Sequence, residues 1–179
     1  MAKHAVFASS KLRSTRAGHI LNFLTEQDCD NGTVWAKGDQ VEGSVNREIY
    51  KAKQATIGDK VYVAGSTPIL PRARTKAENA ETNFYNEKGS TMRMYIPEPD
   101  DMYEVSTSLA KAVSEKVEVG HYIIIDTAAA GKYEEKAADE PTAAFEAIIR
   151  DIKTYGYGEG ADTRMLLEVV RNGFYGQQA

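Results

Sequence analysis

Residues 86–106 read NEKGSTMRMYIPEPDDMYEVS, and the fold turns on how this stretch is understood. It opens on Glu87-Lys88-Gly89-Ser90, a turn signal. Side chains then alternate, with Met92, Met94 and Ile96 on one face and Arg93 and Tyr95 on the other. That period of two is the mark of a half-buried strand. Pro97 and Pro99 end it, since proline has no N–H to give to a ladder. Four acids, Glu98, Asp100, Asp101 and Glu104, follow in what reads as a solvated turn, and Tyr103 and Val105 resume a strand pattern. Strand, acidic turn and strand at mid-chain predict a β-hairpin with the rest of the fold added on either side.

Downstream, 106–118 is ambiguous: Leu109, Ala112 and Val113 have helical spacing, but the segment is short. The most apolar run, VGHYIIID at 119–126, is β-branched and bounded by glycine, which predicts a buried strand. Residues 127–140 are Ala-rich and charged and read as a surface excursion. Phe145, Ile148, Ile149 and Ile152 fit a helical stripe capped by Asp139 or Thr142, but also a strand with a bulge. The β character of the surroundings favours the strand. Arg164 to Val170 alternates cleanly, and the glycine-rich 155–160 connector would join the two. Asn172-Gly173 closes the domain, leaving Phe174 and Tyr175 in a tail at 174–179.

Upstream, His19 to Leu24 predicts a strand, Asn31-Gly32 a turn, and Thr33 to Ala36 a strand pairing back on the first. Glu48–Lys53 and Lys60–Ala64 alternate again, around a Gly58-Asp59 turn. Residues 65–76, GSTPILPRARTK, form a loop with two prolines and the cations Arg72, Arg74 and Lys76; 77–83 fit one helical turn or more loop. Residues 1–16 carry Lys3, Lys11, Arg13 and Arg16 and no acid, and read as an extended basic arm. The sum is about eight short strands punctuated by turns, with little firm helix. This predicts an all-β fold, an antiparallel barrel or sandwich at 17–173 with an N-terminal arm.

Bulk properties narrow the functional classes. The 179 residues suffice for one domain with a real core. Hydrophobic residues are 42% and charged residues 27%, the balance of a globular chain rather than a disordered one. No apolar run is long enough for a membrane-spanning helix, and the N-terminus does not read as a secretory signal. A single cysteine, Cys29, excludes an internal disulfide and a thiolate metal cage. The net charge of −4 is uneven: residues 1–80 carry 12 Lys and Arg against 8 acids, and the remainder 10 against 18. A chain of this polarity can dock on an acidic partner, or on copies of itself, through its first half.

Chemistry is harder to find. His4, His19 and His121 lie in no catalytic or metal-binding spacing. Gly156, Gly158 and Gly160 do not follow the pattern of a phosphate loop. Asp28, Asp30 and Asn31 resemble a calcium loop only superficially, because Gly32 falls too early. The mid-chain acids could serve sugar hydrolysis, though a solvated turn explains them; an alternative is a β-sandwich binding module that presents Tyr155 and Tyr157 to carbohydrate or protein. Two aspartates beside Cys29 would raise its thiol pKa rather than activate it. The reading is of a non-enzymatic protein without cofactor or metal.

Five segments together resemble the head decoration or cement proteins of tailed bacteriophages. They are the basic arm, GDKVYVAGSTPIL, FYNEKGSTMRMYIPEPDDMYEVS, VGHYIIID and TRMLLEVVRNG. The acidic EPDD turn and the 127–140 segment have no place in that pattern. The resemblance implies a β-domain made in a host cytoplasm, bound to the outside of a phage head, and bridging neighbouring capsomers. Its partners would be the major capsid protein and further copies of itself. The contact residues expected on this reading are Lys11, Arg13 and Arg16 in the arm and Arg72 and Arg74 in the proline loop, with Phe174 and Tyr175 as aromatic anchors.

Overall fold

A computed structural model describes residues 3–12, 20–43, 48–69, 80–156 and 161–173, apart from the side chains of Ser10 and Lys11. Twelve strands appear among the described residues. In chain order they are β1 (Phe7–Lys11), β2 (Ile20–Leu24), β3 (Val34–Gln40), β4 (Ile49–Lys53), β5 (Val61–Ala64), β6 (Thr91–Tyr95), β7 (Met102–Ser106), β8 (Ala110–Lys111), β9 (Tyr122–Ile125), β10 (Tyr133–Lys136), β11 (Phe145–Tyr155) and β12 (Asp162–Asn172). Among the described residues, helix is confined to two single 3₁₀ turns, Glu81–Asn83 and Thr107–Leu109. The fold is all-β, as the turn-punctuated alternation predicts.

The strands form two sheets. One is a seven-stranded sheet in the order β1-β7-β12-β11-β9-β10-β8, and the other closes as a five-stranded barrel, β2-β4-β3-β5-β6. Pairing is antiparallel except at β2–β4 and β8–β10, which are parallel. The barrel encloses its own cluster of Phe23, Trp35, Tyr62, Ala64, Met92 and Met94. A second cluster fills the space between the barrel wall and the sheet: Val34, Val61, Val63 and Tyr95 meet Tyr103, Ile123, Phe145, Ile149, Met165 and Leu167. β5 therefore contacts an apolar core on both faces, and all four of its residues, VYVA, are buried.

Residues 86–106 supply two strands, but not a hairpin. β6 completes the barrel by pairing with β2 and β5, whereas β7 lies between β1 and β12 in the larger sheet. The segment between them is the crossover from one sheet to the other. Two prolines within three residues deny it the N–H groups of a tight turn and stiffen it. Asp100 adopts a left-handed φ of 70°, and its N–H donates to Val169 O at 2.9 Å, which fastens the crossover to β12. The Asp101 side chain is fully buried and accepts the Glu98 N–H at 3.0 Å, so this part of the acidic turn is an internal bracket. The β6 alternation is correct for Met92, Met94 and Arg93, but Tyr95 is also buried, in the inter-sheet cluster.

Three further expectations are corrected. Thr33 to Ala36 does not return on β2; β3 pairs with β4 and β5 instead. The intervening loop is held from outside by Asn86, which exchanges backbone hydrogen bonds with Cys29 at 2.9 and 2.7 Å and donates its amide to Asn31 Oδ1 at 3.2 Å. Residues 127–140 are no excursion, because β10 pairs with β9 and places Tyr133 and Glu135 in the interior. The N-terminal segment is not a free arm over its described part: Ala5, Val6 and Leu12 are buried, and β1 forms one edge of the seven-stranded sheet. Ala and Val at the start of a cationic stretch supply the apolar contact that the charges obscure. The preference for strand over helix at Phe145–Ile152 is correct, including the bulges, which lie at Glu146/Ala147 and Ile149/Asp151.

The two sheets are fastened at both ends of their junction. Asn172 Oδ1 accepts the Val61 N–H at 2.9 Å, and its amide donates to Val61 O at 2.9 Å and Pro97 O at 2.8 Å. One side chain at the end of β12 thus holds a barrel strand and the crossover. At another point the chain leaves β5 through Gly65, over which the Phe7 and Tyr95 rings close. A Cβ there would stand 2.5 Å from Phe7 Cε1 and 2.7 Å from Tyr95 Cε2. Gly65→Ala is accordingly expected to cost about 1–3 kcal/mol through forced displacement of these rings. Equilibrium urea unfolding of the variant against the parent measures this.

Candidate functional site

The residues expected to make contact fall mainly outside the described region. Arg13, Arg16, Arg72, Arg74, Phe174 and Tyr175 lie beyond it, and Lys11 is described only as the backbone end of β1. Residues that border the cationic segments are described, and they approach one another. Ile20, where the chain re-enters after the first basic stretch, is paired with Tyr95, which in turn is paired with Val63 at the end of β5. Gly65, at the start of the proline loop, donates its N–H to Arg93 O at 2.8 Å. The Phe7 ring of β1 lies 5.8 Å from the Tyr95 ring. Past the proline loop, Thr82 O accepts the His4 N–H at 2.8 Å, bringing the chain back beside the N-terminal strand. The flanks of both cationic segments therefore meet around Phe7, Gly65 and Tyr95.

Beside this convergence runs a groove. Its larger part has a volume of about 450 Å³ and lies between the 107–117 segment and the far end of β11, with Ala110, Ala112, Val117 and Ile152 among its walls. A second hollow of about 260 Å³, bordered by Lys3, His4 and Asp162, shares Thr107, Ser108 and Thr163 with it. The lining is of hydroxyls and small apolar groups, suited to holding a polar or extended ligand by hydrogen bonds. Glu115, Lys116 and Lys3 also border the groove, while its other titratable groups, His4 and Asp162, are already engaged. His4 Nδ1 lies 2.7 Å from Asp30 Oδ1 and its ring stacks on Tyr85 at 4.7 Å. The Ser106 hydroxyl donates to Asp162 at 2.9 Å and accepts the Val6 N–H at 2.8 Å, while Arg164 Nε donates to Asp162 at 2.7 Å. Ser106 is buried, so this trio clamps the N-terminal strand to β7 and β12 rather than presenting a nucleophile.

The other chemistry considered from sequence disperses. Glu104 accepts the Tyr155 hydroxyl at 3.0 Å, Asp101 is internal, and Asp100 serves the crossover through its backbone. Tyr155 also has Arg164 over its ring at 4.8 Å, and Tyr157 lies outside the described residues. Asp28 accepts the Lys88 N–H at 2.8 Å and Asp30 is taken by His4 and Ala5. No group of three or more His, Cys, Asp or Glu is placed to hold a metal ion among the described residues. His19 lies outside them. The Cys29 thiol is buried, and burial pushes its pKa up, with smaller upward contributions from Asp30 and Asp28 opposed by its bond to Thr25. The direction is the one expected, but burial rather than the aspartates is the main cause.

Sequence reasoning missed two acids. Glu135, on β10, is fully buried and accepts the Val113 N–H at 2.8 Å, the Glu118 N–H at 2.7 Å and a contact from His121 Nδ1 at 2.9 Å. Glu146, on β11, is equally buried beside Arg171 and Asp139. Glu135 sits in a segment whose charge suggested solvent, and Glu146 in an apolar stretch where it was not singled out. The alternation Tyr133-Glu134-Glu135-Lys136 gives the only signal, because an acid follows Tyr133 at i+2 on its buried face. No protein-family model matches the chain, and neither a curated protein nor a solved structure is similar to it.

Proposed function

We propose that this chain is a non-enzymatic structural protein that binds the outside of a phage head and bridges neighbouring capsomers. The observation that carries the reading is the convergence of the flanks of residues 13–19 and 70–79 on Phe7, Gly65 and Tyr95. Residues bordering two segments far apart in sequence, which between them carry Lys11, Arg13, Arg16, Arg72 and Arg74, thereby lie near one another. Cationic segments that leave a β-body at neighbouring points suit a carboxylate-rich surface such as that of the major capsid protein. The segments that carry the likeness to decoration proteins also become framework here: β5, β6, the crossover, β7, β9 and β12. Repetition over a symmetric shell would turn modest single contacts into strong collective adhesion, with further copies of the chain as neighbours.

The test is co-sedimentation with shells assembled from the major capsid protein encoded with this chain. Binding is expected at about 0.15 M salt and release near 1 M, where the screening length falls from about 8 Å to about 3 Å. A variant with Lys11, Arg13, Arg16, Arg72 and Arg74 all changed to Ser is expected to stay in the supernatant while keeping the parent's melting temperature. A parent that never sediments with shells, or a variant that sediments equally well, overturns the reading.

A further inference from the structure

We propose that Asp139, Glu146 and Arg171 form a proton-operated clasp, closed when the two carboxyl groups share a proton, that fixes loop 137–144 against both the seven-stranded sheet and the barrel. The loop is a bridge between the two sheets. Its Ala144 N–H donates to Ile57 O, in the turn between β4 and β5, at 2.7 Å, and Ala144 O accepts the Gly173 N–H at 3.0 Å. The Glu140 N–H donates to Glu146 Oε1 at 2.7 Å, and Arg171 Nε donates to Ala143 O at 2.9 Å. The clasp therefore holds the loop by side chains at the point where its backbone reaches the barrel.

Two carboxyl groups face one guanidinium, and of the two only Glu146 is buried. Arg171 Nη2 is 2.9 Å from Asp139 Oδ1 and 2.9 Å from Glu146 Oε2. Its approach to Glu146 lacks hydrogen-bond alignment, so Oε2 is a buried oxygen without a hydrogen-bond partner. Two carboxylates repel, whereas a carboxyl group donates to a carboxylate. A proton on Oε2 given toward Asp139 satisfies the orphan oxygen and leaves one negative charge for one guanidinium. Other charges stand aside. Glu140 accepts from the Thr142 hydroxyl, Arg150 pairs with Glu168, Lys153 with Asp151, and Asp59 holds Thr56 in the β4–β5 turn. Burial, reinforced by Asp139 and opposed by the Glu140 N–H and Arg171, raises the Glu146 pKa to about 7, while Asp139, hydrogen-bonded to Glu146 and Arg171, is lowered.

The raised group contributes stability that is complete below its ordinary value of 4.5 and is lost as pH rises through about 7. The lowered Asp139 works the other way, losing its contribution as pH falls below its ordinary 3.8. The clasp is thus closed between these limits and opens above neutrality. Carboxyl ¹³C NMR of the intact protein is expected to give a Glu146 midpoint near 7, and Asp139→Asn is expected to lower it. Amide exchange protection at Glu140, Ala144 and Gly173 is expected to fall on the order of tenfold between pH 5.5 and 8.5, about the effect of one pKa unit of coupling. In Glu146→Gln, whose amide imitates the protonated acid, the protection should not change with pH. A Glu146 midpoint near 4.5, or the same pH-dependent loss of protection in the Gln variant, overturns the proposal. Should that variant not fold, the midpoint and its shift in Asp139→Asn decide alone.

Discussion

Glu135→Ala is expected to destabilise the protein by roughly 3–5 kcal/mol and to release residues 112–121 from the sheet. The magnitude follows from what the carboxyl group satisfies. It accepts N–H groups from Val113 and Glu118 and lies 2.9 Å from His121 Nδ1, with none of its own surface exposed. Truncation leaves up to three donors without their buried acceptor, and each stranded group costs about 1–3 kcal/mol. Incomplete desolvation at His121, whose side chain is 24% exposed, keeps the total below the simple sum. The effect is directional. The 112–121 segment has no strand of its own, so Glu135 is its main tether from β10, and Val117 is drawn into the inter-sheet core behind it. Calorimetry checks the size. Faster exchange of the Val113 and Glu118 amides, with the β11–β12 amides still protected, checks the location. Equal loss of protection across both regions would mean that Glu135 supports the whole sheet rather than one loop.

That residue also marks the boundary of what could be read from the chain. Strand identity was legible where one face was wet, as in β12, where Met165, Leu167 and Val169 are buried between less buried neighbours. It was legible too where both faces were dry and β-branched, as in β9. Partnership was legible for β11 and β12, joined by one glycine-rich connector, but not for strands whose partners are distant in sequence. Alternation fixes which face of a strand is buried, but not which strand lies beside it, so the 86–106 segment was expected to pair with itself. The information that it crosses between sheets resides in distant atoms, the Val169 carbonyl and the Asn172 amide. Buried charge was hidden for a related reason. Glu135 and Glu146 look like solvent-facing acids until the groups that neutralise them, 14 to 25 residues away in the sequence, are brought alongside. The candidate contact cations were legible only as composition, and apart from the backbone of Lys11 they lie outside the described residues.

Phe145→Ala is expected to remove about 3–5 kcal/mol, a large share of the roughly 5–15 kcal/mol that holds a domain folded. Phe145 is fully buried, its ring 6.3 Å from that of Tyr133, in the cluster shared by barrel wall and sheet. Its surroundings come from strands already pinned by ladders on either side, so the space it vacates cannot easily close. Trp35 makes the prediction sharper than a stability measurement alone. It is the only tryptophan, and it belongs to the other cluster, inside the barrel. If barrel and sheet were separate folding units, a void next to Tyr133 would leave Trp35 fluorescence unfolding at its original urea concentration. The shared core argues otherwise, since Val34 and Val63 of the barrel would lose the surface they pack against as soon as the sheet opened. The fluorescence midpoint should therefore fall together with the far-ultraviolet circular dichroism midpoint, by about 1–2 M urea for a denaturant slope of about 2–3 kcal/mol/M. A Trp35 transition that stays in place while the dichroism shifts would make the barrel an autonomous unit, joined to the sheet by Asn172 and the 137–144 loop but not folded with it.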